Sequence, residues 1–318
     1  MKRVAVGVDI GGTNVKLGLV DERGKVLLHD TFLTRDHSSK KELLDKLVEH
    51  IQLLRREAAR CKLKVAGIGI GAPGPIDVER GFVYSLTNIP GWENTPLKQL
   101  LKKILKMPVF VDNDANAMAW GEYRFGAGRG SKHMIGLTLG TGLGGGIVMN
   151  GKLFHGPHYS AAEIGHMIID VNGPLCGCGR RGCIETFVGN GYFVKDVQEH
   201  LDAGGRSILR DWVKDGRKLT PKLVQEAAQS GDKLALGQWA KTGATLGTFL
   251  AGLVNVLNPE RIVIGGGVAL AGPLIFGPVR LAIRKKAFPI ASRFVKVLPA
   301  VLGPDAGLIG AAALALSD

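Results

Sequence analysis

The chain contains two segments with one pattern, in which a buried strand leads into a turn rich in glycine and threonine and then into a second strand. The first segment reads DIGGTNVKLGLV from Asp9, and the second reads LGTGLGGGIVMNGK from Leu139. Glycine in such turns lets a backbone or a ligand approach closely. Two copies of one glycine-turn hairpin, in two halves of the chain, predict two related α/β domains that face a shared cleft.

Strand and helix patterns also alternate through the rest of the sequence. Short apolar runs such as VAGIGIGAP and KMPVFVDND predict buried strands. Apolar residues recur at helical spacing over residues 39–60, and helical patterns follow over 113–125, 190–258 and 305–317.

These patterns predict two domains. The small α/β domain comprises residues 1–118 together with 303–318, because the last helix is expected to return to the first domain. The large α/β domain comprises residues 119–302.

Charge and hydropathy limit the possible partners. The chain has 41 Lys and Arg against 28 Asp and Glu, a net charge of +13. Its basic patch between Arg280 and Lys296 is too short for a polybasic tail, so no nucleic-acid partner is expected.

The run from Ile262 to Val279 is uncharged, but three consecutive glycines and two prolines favour a strand, a turn and a helix start over a membrane span. No membrane partner is expected, and a cytoplasmic location is predicted because no signal peptide precedes the first strand.

The glycine motifs could belong to any of three kinds of phosphate-binding loop. Gly140, Gly142 and Gly145 match the dinucleotide-binding pattern G-x-G-x-x-G, but that loop must open a helix and here a strand pattern follows. The stretch GAGRGSK lacks the spacing of a P-loop. The third kind is a hairpin whose backbone N–H groups bind phosphate oxygens. One such segment alone is most simply a hairpin turn, whereas two of them and the GGG turn after Ile264 favour a nucleotide site.

Candidate ligands in the three turns follow from this interpretation. Asp9 lies at the mouth of the first turn, where its carboxylate would hold Mg²⁺ through water. Threonine and asparagine side chains add donors, and glycine would be needed for close approach and for positive φ. The residues assigned to ATP and magnesium are Asp9, Gly11, Gly12, Thr13, Asn14, Lys16, Gly140, Thr141, Gly142, Gly265, Gly266 and Gly267.

Carboxylates and amides follow a predicted strand in the segment VDNDAN. The carboxyl ends of strands are where α/β proteins build their sites, and phosphoryl transfer to a hydroxyl needs a base. An Asp or Asn here also caps the helix that follows. For Asp112 and Asn116 we expect such capping or supporting roles.

Three of the four cysteines are clustered. Cys176, Cys178 and Cys183 follow His166 closely in the sequence. Three thiolates and one imidazole suit tetrahedral Zn²⁺ in a structural site. The spacing differs from a standard zinc finger, so zinc and incidental thiols both remain open on spacing alone.

In their order along the chain, DIGGTNVKLGLV, VDNDANAMAWGE, LGTGLGGGIVMNG, AAEIGH, CGCGRRGCIE and IVIGGG resemble the ROK family of sugar kinases and repressors. The resemblance spans nearly the whole chain. It implies the two-domain actin-like ATPase fold, which is ribonuclease H-like, with a cleft between the domains. The segment NIPGW after GAPGP is similar to the glucokinase branch of the family.

The resemblance implies a role for each matching residue. Asp114 would be the catalytic base for the sugar hydroxyl. The implied sugar-binding residues are Gly74, Thr87, Asn88, Asn113, Asp114, Glu163, His166 and Glu185. A structural zinc ion would be held by His166, Cys176, Cys178 and Cys183, which leaves the second nitrogen of His166 for the sugar.

The activity implied is ATP- and Mg²⁺-dependent phosphorylation of glucose at its 6-hydroxyl. Relatives that act on N-acetylated sugars carry Arg after the glycine matching Gly74, whereas this chain has Pro75. Another hexose as acceptor and polyphosphate as donor remain alternatives. A sugar-sensing regulator is a third, disfavoured because the repressors carry a helix-turn-helix before the first glycine motif and only eight residues precede Asp9. A homodimer is expected.

Overall fold

The computed structural model of the protein describes residues 1–36, 39–87, 89 and 91–316. In these residues the strands are β1 Arg3–Ile10, β2 Asn14–Asp21, β3 Val26–Leu33, β4 Lys64–Ala72, β5 Ile76–Asp77, β6 Phe82–Val83, β7 Val109–Asn113, β8 Met134–Leu139, β9 Leu143–Met149, β10 Lys152–Leu153, β11 Arg261–Gly265 and β12 Lys296–Pro299. The α-helices are α1 Lys40–Arg60, α2 Leu97–Leu105, α3 Asp114–Phe125, α4 Glu185–Val188, α5 Asn190–Asp202, α6 Leu209–Lys214, α7 Pro221–Gln229, α8 Lys233–Leu257, α9 Pro273–Lys286, α10 Pro289–Phe294 and α11 Ala306–Leu316.

Contacts within the chain divide it into two compact units. Unit 1 comprises Met1–Gly136, Gly146–Ala162 and Ala300–Asp318, and unit 2 comprises Leu137–Gly145 and Glu163–Pro299. The boundary predicted after residue 118 falls inside α3, and unit 1 instead continues through that helix. Gly146–Ala162, assigned from the sequence to the large domain, also lies in unit 1. There Gly146 of β9 packs so closely on α3 that a Cβ would meet the helix backbone.

Unit 1 is built on a five-stranded sheet with the order β3-β2-β1-β4-β7. β1 pairs antiparallel with β2 and parallel with β4, and β4 pairs parallel with β7. Asp9 therefore lies opposite Gly71, which lies opposite Asp112. This register brings the carboxylates at the ends of β1 and β7 to one edge of the sheet.

Helix α11 covers part of this sheet at very short range. A Cβ at Gly7 of β1 would collide with the Leu308 carbonyl, and one at Gly69 of β4 would collide with the Ala311 carbonyl. Nearly every described residue of α11 is buried, as expected for a helix that is apolar on all sides. The small-residue helix predicted over residues 305–317 is thus an internal element of unit 1.

Helix α1 forms where the sequence predicts it. Ser39 is the N-cap, and its side-chain oxygen accepts a hydrogen bond from the Glu42 N–H at 3.2 Å. The buried residues Leu43, Leu47 and Ile51 follow one another at helical spacing and pack into the apolar core of unit 1.

The second five-stranded sheet has the order β10-β9-β8-β11-β12. Strands β8 and β9 contribute residues to both units, whereas β11 and β12 belong to unit 2. Helices α5 to α8 fill most of the region predicted to be helical between residues 190 and 258. Within unit 2, α8 packs on α9 through Gly243 and Gly247, where a Cβ would meet the α9 backbone.

The uncharged run from Ile262 to Val279 forms most of β11, a 3₁₀ turn over Gly267–Ala271 and the start of α9. This is the predicted order of strand, glycine turn and helix start. Across the described residues, we find no helix whose length and apolar character would let it cross a membrane.

Candidate active site

The first glycine turn joins β1 to β2 in unit 1. The Gly11 N–H donates to the Asn14 carbonyl at 2.9 Å, which closes a tight turn around Gly12 and Thr13. The Thr34 hydroxyl donates to the Gly11 carbonyl at 2.7 Å and fixes the turn from the neighbouring strand end. Gly12, Thr13 and Asn14 are therefore presented to solvent on a fixed backbone.

Asp9 lies beside this turn in a strongly acidic environment. Burial raises its pKa, the negative charges of Asp114 and Asp305 raise it further, and Lys16 opposes them, so that the pKa is about 6. Lys16 faces Asp9 across β1 and β2, and its Nζ donates to the Pro304 carbonyl at 2.8 Å. Carboxylates placed together in this way are stabilised by a divalent cation, since hard cations prefer oxygen ligands.

The start of α3 is held by the residues around Asp114. Asn113 is the N-cap: its Oδ1 accepts hydrogen bonds from the N–H groups of Ala115 at 2.9 Å and Asn116 at 3.3 Å. Its Nδ2 donates to the Gly74 carbonyl at 3.3 Å. Asp112 is buried, and its Oδ1 accepts from the Asn113 N–H at 2.7 Å and from Asn116 Nδ2 at 2.9 Å. Asp112 and Asn116 thus have the supporting roles predicted for them.

The loop containing Gly74 lies next to this helix start. Gly74 has φ +120°, and a Cβ there would collide with the Ser85 carbonyl, so only glycine fits. The Thr87 N–H donates to the Pro73 carbonyl at 3.0 Å, and the Thr87 side chain is exposed. Asn88, the neighbouring sugar-binding prediction, lies outside the described residues.

The second glycine turn, between β8 and β9, lies in unit 2. The Gly140 N–H donates to the Gly142 carbonyl at 2.9 Å, and the Asn190 N–H donates to the Gly140 carbonyl at 2.9 Å. Glu185, the first residue of α4, accepts the Leu143 N–H on Oε2 at 3.0 Å. The carboxylate of Glu185 therefore braces the turn from α4.

The third glycine turn follows β11, also in unit 2. Gly265 is the buried last residue of the strand, and Gly266 and Gly267 are exposed. A Cβ at Gly266 would collide with the Leu139 backbone at the end of β8. The third turn is thus packed directly against the strand that leads into the second turn, beside the exposed Thr141.

Positive φ is rarer in these turns than the sequence predicted. Gly266 has φ +87°, but Gly11, Gly140 and Gly142 all lie outside the left-handed region. The expectation that the first two turns need positive φ is therefore wrong for these three glycines. At Gly142 the reason for glycine is space, because a Cβ would collide with the Glu185 carboxylate.

The side chains of His166, Cys176, Cys178 and Cys183 form one cluster in unit 2, with ligand atoms all within 4.8 Å of one another. The Sγ atoms of Cys178 and Cys183 are 3.7 Å apart, and His166 Nδ1 is 3.6 Å from Cys176 Sγ. Tetrahedral zinc with ordinary bond lengths places two thiolates about 3.8 Å apart, and a thiolate about 3.6 Å from an imidazole nitrogen. The donor set and its spacing therefore fit zinc.

Burial raises the pKa of Cys176 to about 12, with further effects from the neighbouring thiols. A thiolate at this position needs a nearby positive charge, which a bound metal ion supplies. The cluster therefore has a chemical reason to bind a cation.

The three residues of unit 2 implied in sugar binding lie around the cluster. His166 directs Nδ1 toward Cys176, which leaves Nε2 for another partner. Glu185 Oε1 is 3.6 Å from Cys176 Sγ, while its other oxygen holds the second glycine turn. Glu163 is exposed and immediately precedes the 3₁₀ turn Ile164–His166.

Two residues near the predicted site were missed from the sequence. His155 follows β10 and contacts Asp112, its Nε2 lying 2.7 Å from Asp112 Oδ2. Asp305 adds its charge near Asp9 from the segment before α11. Both contacts join residues far apart in the sequence, and neither residue lies in a recognisable motif.

Comparison with known proteins gives a family for this arrangement. A model described as the ROK family matches residues 5–318. The chain belongs to the ROK family. It is 37% identical over 310 residues to the glucokinase of Thermotoga maritima, covering 97% of this chain and 96% of that protein.

Two solved structures extend the comparison. A ROK family glucokinase from Streptomyces griseus, in complex with glucose and AMPPNP, has a TM-score of 0.81 and 36% identity, covering 99% of this chain and all of that one. A ROK family transcriptional regulator, a homologue of the E. coli MLC protein, has a TM-score of 0.89 and 27% identity, covering all of this chain and 78% of that one. The fold of the ROK sugar kinases is the two-domain actin-like ATPase fold, and this chain has it.

Proposed function

We propose that this ROK-family chain transfers the γ-phosphoryl group of ATP to the 6-hydroxyl of glucose and forms glucose 6-phosphate. The proposal rests on the acidic pair Asp9 and Asp114, which the strand register of unit 1 brings to one edge of the sheet. Phosphoryl transfer needs this combination of a cation-binding carboxylate and a base. The similarity to the glucokinases of T. maritima and S. griseus supports glucose as the acceptor.

Asp114 is the proposed base. It is the first residue of α3, and the cap formed by Asn113 holds the backbone on which it stands. In this role its carboxylate accepts the proton of the 6-hydroxyl while that oxygen attacks phosphorus. Asp112 is buried and is engaged by its neighbours on both oxygens, whereas Asp114 is the residue that the resemblance to the ROK family assigns to the reaction.

Asp9 is the proposed ligand of the magnesium ion that accompanies ATP. When bound, Mg²⁺ neutralises charge on the phosphate oxygens. In the first turn, Thr13 and Asn14 offer donors to phosphate from an exposed tip. In the second turn, no described atom lies within 4 Å of the position that a Cβ would take at Gly140, so space is free for a phosphate group there.

The residues that we propose as sugar ligands are Gly74, Thr87, Asn88, Asn113, Asp114, Glu163, His166 and Glu185. Carboxylates suit this task because each accepts hydrogen bonds from two hydroxyl groups, and charged acceptors make the stronger bonds.

We also propose that the cysteine and histidine cluster holds a structural zinc ion. Four protein ligands would close the coordination shell, as in structural sites. The ion would fix the imidazole of His166 through Nδ1 and so set the direction of Nε2 toward the sugar.

The test is an ADP-release assay with glucose, fructose, mannose, N-acetylglucosamine and N-acetylmannosamine. Turnover with glucose above the others, lost in Asp114→Asn, is the expected result. Preference for another hexose would contradict glucose while keeping the kinase. Turnover with polyphosphate but not with ATP would identify polyphosphate as the phosphoryl donor. Sugar binding without turnover with either donor would favour a regulator.

The homodimer expected from the sequence is also a proposal. It is supported by apolar side chains around α10 that are largely exposed: Phe288 and Ile290 at 73% and Phe294 at 67%. Light scattering should give the mass of a dimer, and Phe288→Ser with Phe294→Ser should shift it to that of a monomer. A native monomer would contradict the proposal.

A further inference from the structure

We propose that His155 is a positioning residue for the transfer reaction. Through Asp112, it fixes the start of α3 and thereby the direction of the Asp114 carboxylate. This inference rests on the proposed kinase function, since it concerns the same base.

The contact between His155 and Asp112 joins a loop to the end of a buried strand. Only 1% of the Asp112 side chain is exposed, and its Oδ2 lies 2.7 Å from Nε2 of His155, which is 20% exposed. The other oxygen of Asp112 accepts from the Asn113 N–H and from Asn116 Nδ2. The buried carboxylate therefore has three partners, and His155 is the one able to carry a positive charge.

These partners matter because Asp112 stands two residues before Asp114. One oxygen of Asp112 holds both the residue that caps α3 and a residue in its first turn. Without His155, the second oxygen would lose its partner in a buried position, where an uncompensated charge is unfavourable. The carboxylate would then rotate toward another donor, and this change loosens the helix start.

The backbone on both sides of His155 is held in place. The Phe154 N–H donates to the Ile147 carbonyl at 2.8 Å, and the Ala161 N–H donates to the His155 carbonyl at 3.1 Å. The imidazole is therefore presented to Asp112 by a loop with closed ends. Such a fixed partner suits a positioning role, in which small displacements at the reacting atoms are costly.

The imidazole also lines a cavity of about 620 Å³ within unit 1. Asp112, Trp120, Tyr123 and Leu153 also line this cavity. Truncation of His155 would enlarge this open space, so a free imidazole molecule would have access to the Asp112 carboxylate. The cavity thus permits chemical rescue, which tests the role of the ring separately from its packing.

The experiment compares the native chain, His155→Ala and His155→Ala with added imidazole in the glucose assay. We expect kcat to fall about 10- to 100-fold with the KM for glucose changed less than about threefold. Imidazole should restore much of kcat. Because the effect passes through Asp112, the double variant His155→Ala/Asp112→Asn should lose no more than the worse single variant.

The matched control is His50→Ala. His50 pairs with Asp30 in the same unit, with Nδ1 2.6 Å from Oδ2 and with side-chain exposures of 14% and 20%. This variant should lower the melting temperature but leave kcat unchanged.

An unchanged kcat in His155→Ala, or a loss of kcat that imidazole does not reverse, would overturn the positioning role while native turnover remains. A native chain without turnover on any sugar would overturn the kinase proposal and this inference together.

Discussion

The two glycine turns are alike in sequence but differ in what surrounds them. The first, after β1, stands among ionisable groups, and the pKa of Asp9 is raised to about 6 by burial and by its neighbours. The second, after β8, has the Glu185 carboxylate beside it, and one oxygen of this carboxylate accepts a hydrogen bond from the turn. Beyond Glu185 lies the cluster of His166 and the three cysteines.

This difference indicates a division of work between two similar hairpins. Around the first turn, the buried carboxylate of Asp9 is kept near the negative charges of Asp114 and Asp305, which is a cost to stability that ligand binding can relieve. Around the second turn, the charged carboxylate of Glu185 holds the backbone by accepting the Leu143 N–H. We therefore expect substitutions of the carboxylates near the first turn to affect activity more than stability, and substitutions that disturb the contact of Glu185 with the second turn to do the reverse.

The largest effect is expected at Asp114. Replacement of Asp114 by Asn removes the base and should lower kcat about 1,000-fold with little change in ATP affinity. Steady-state kinetics with glucose and isothermal titration with ATP would measure both quantities. Asp45→Asn, an exposed site on α1, is the control and should match the native chain. Retention of more than a tenth of native kcat in Asp114→Asn would rule out Asp114 as the base.

Loss of the proposed zinc ion should affect the second turn but not the first. Cys183→Ser removes a buried ligand of the cluster, so bound zinc should fall from about one ion per chain to none, with a loss of about 3 kcal/mol or more in the free energy of unfolding. Amide exchange should accelerate at residues 140–143 but not at 11–14. Elemental analysis and exchange mass spectrometry would measure these changes.

The control for this variant is Cys61→Ser, because Cys61 is an exposed free thiol in unit 1. It should keep both zinc and stability. A Cys183→Ser protein with normal zinc content would show that the cluster is not the zinc site. Equal exchange rates in both turns would contradict the proposed division between them.

The charge near the first turn predicts a pH dependence of stability. The pKa of Asp9 is about 6 in the folded chain, against an ordinary value of 3.8. Folding therefore favours the protonated form, and the contribution of Asp9 to stability falls as the pH rises through this range. Asp9→Asn should be more stable than the native chain at pH 7.5, by at most about 3 kcal/mol, and equal to it near pH 4. Urea unfolding at several pH values would test this.

Asp21 provides a control, because its pKa is shifted in the opposite direction from that of Asp9. Burial would raise its pKa, but hydrogen bonds from Lys2 and from the N–H groups of Lys25 and Arg23 outweigh burial and lower it. The contribution of Asp21 to stability is present at pH values above its ordinary pKa and is lost as the pH falls. Asp21→Asn should therefore be destabilised at pH 7.5. If Asp9→Asn were also destabilised at that pH, it would disprove the conclusion that the ionised Asp9 carboxylate is unfavourable in the folded protein.

The smallest effects compare two glycines of the second turn. Gly142→Ala should displace the Glu185 carboxylate from the Leu143 N–H and cost about 1 kcal/mol of stability. Gly140→Ala meets no described atom within 4 Å and should unfold like the native chain. It should nevertheless bind ATP more weakly if phosphate occupies that space. Equal ATP affinity in Gly140→Ala and the native chain would place the phosphate elsewhere.

Much of the fold was predictable because its signals are local. The helix over residues 39–60 was predicted from apolar spacing, and the structure has it at Lys40–Arg60 with Ser39 as its cap. The helix predicted from residue 113 begins at Asp114, with Asn113 as its cap. Caps and periodicity depend on neighbours within a few residues, so one sequence contains them.

The features that were missed depend on packing between distant segments. His155 meets Asp112 across 43 residues of sequence, and a histidine in a short loop has no local pattern that would point to this. The boundary between the units was misplaced for the same kind of reason, since the close contact of Gly146 with α3 depends on register and not on composition. The short strands β5, β6 and β10 are two residues each and carry too little pattern to predict.

The place of α11 has a consequence for biosynthesis. Its backbone fills the space above Gly7 and Gly69, in strands that a ribosome would release much earlier than the helix. During translation, β1 and β4 would emerge with this face uncovered and would remain so until α11 left the exit tunnel. Nascent chains of this protein would thus be exposed to aggregation and to chaperones until α11 is available, and a chain that stopped short of α11 would keep this face of β1 and β4 uncovered.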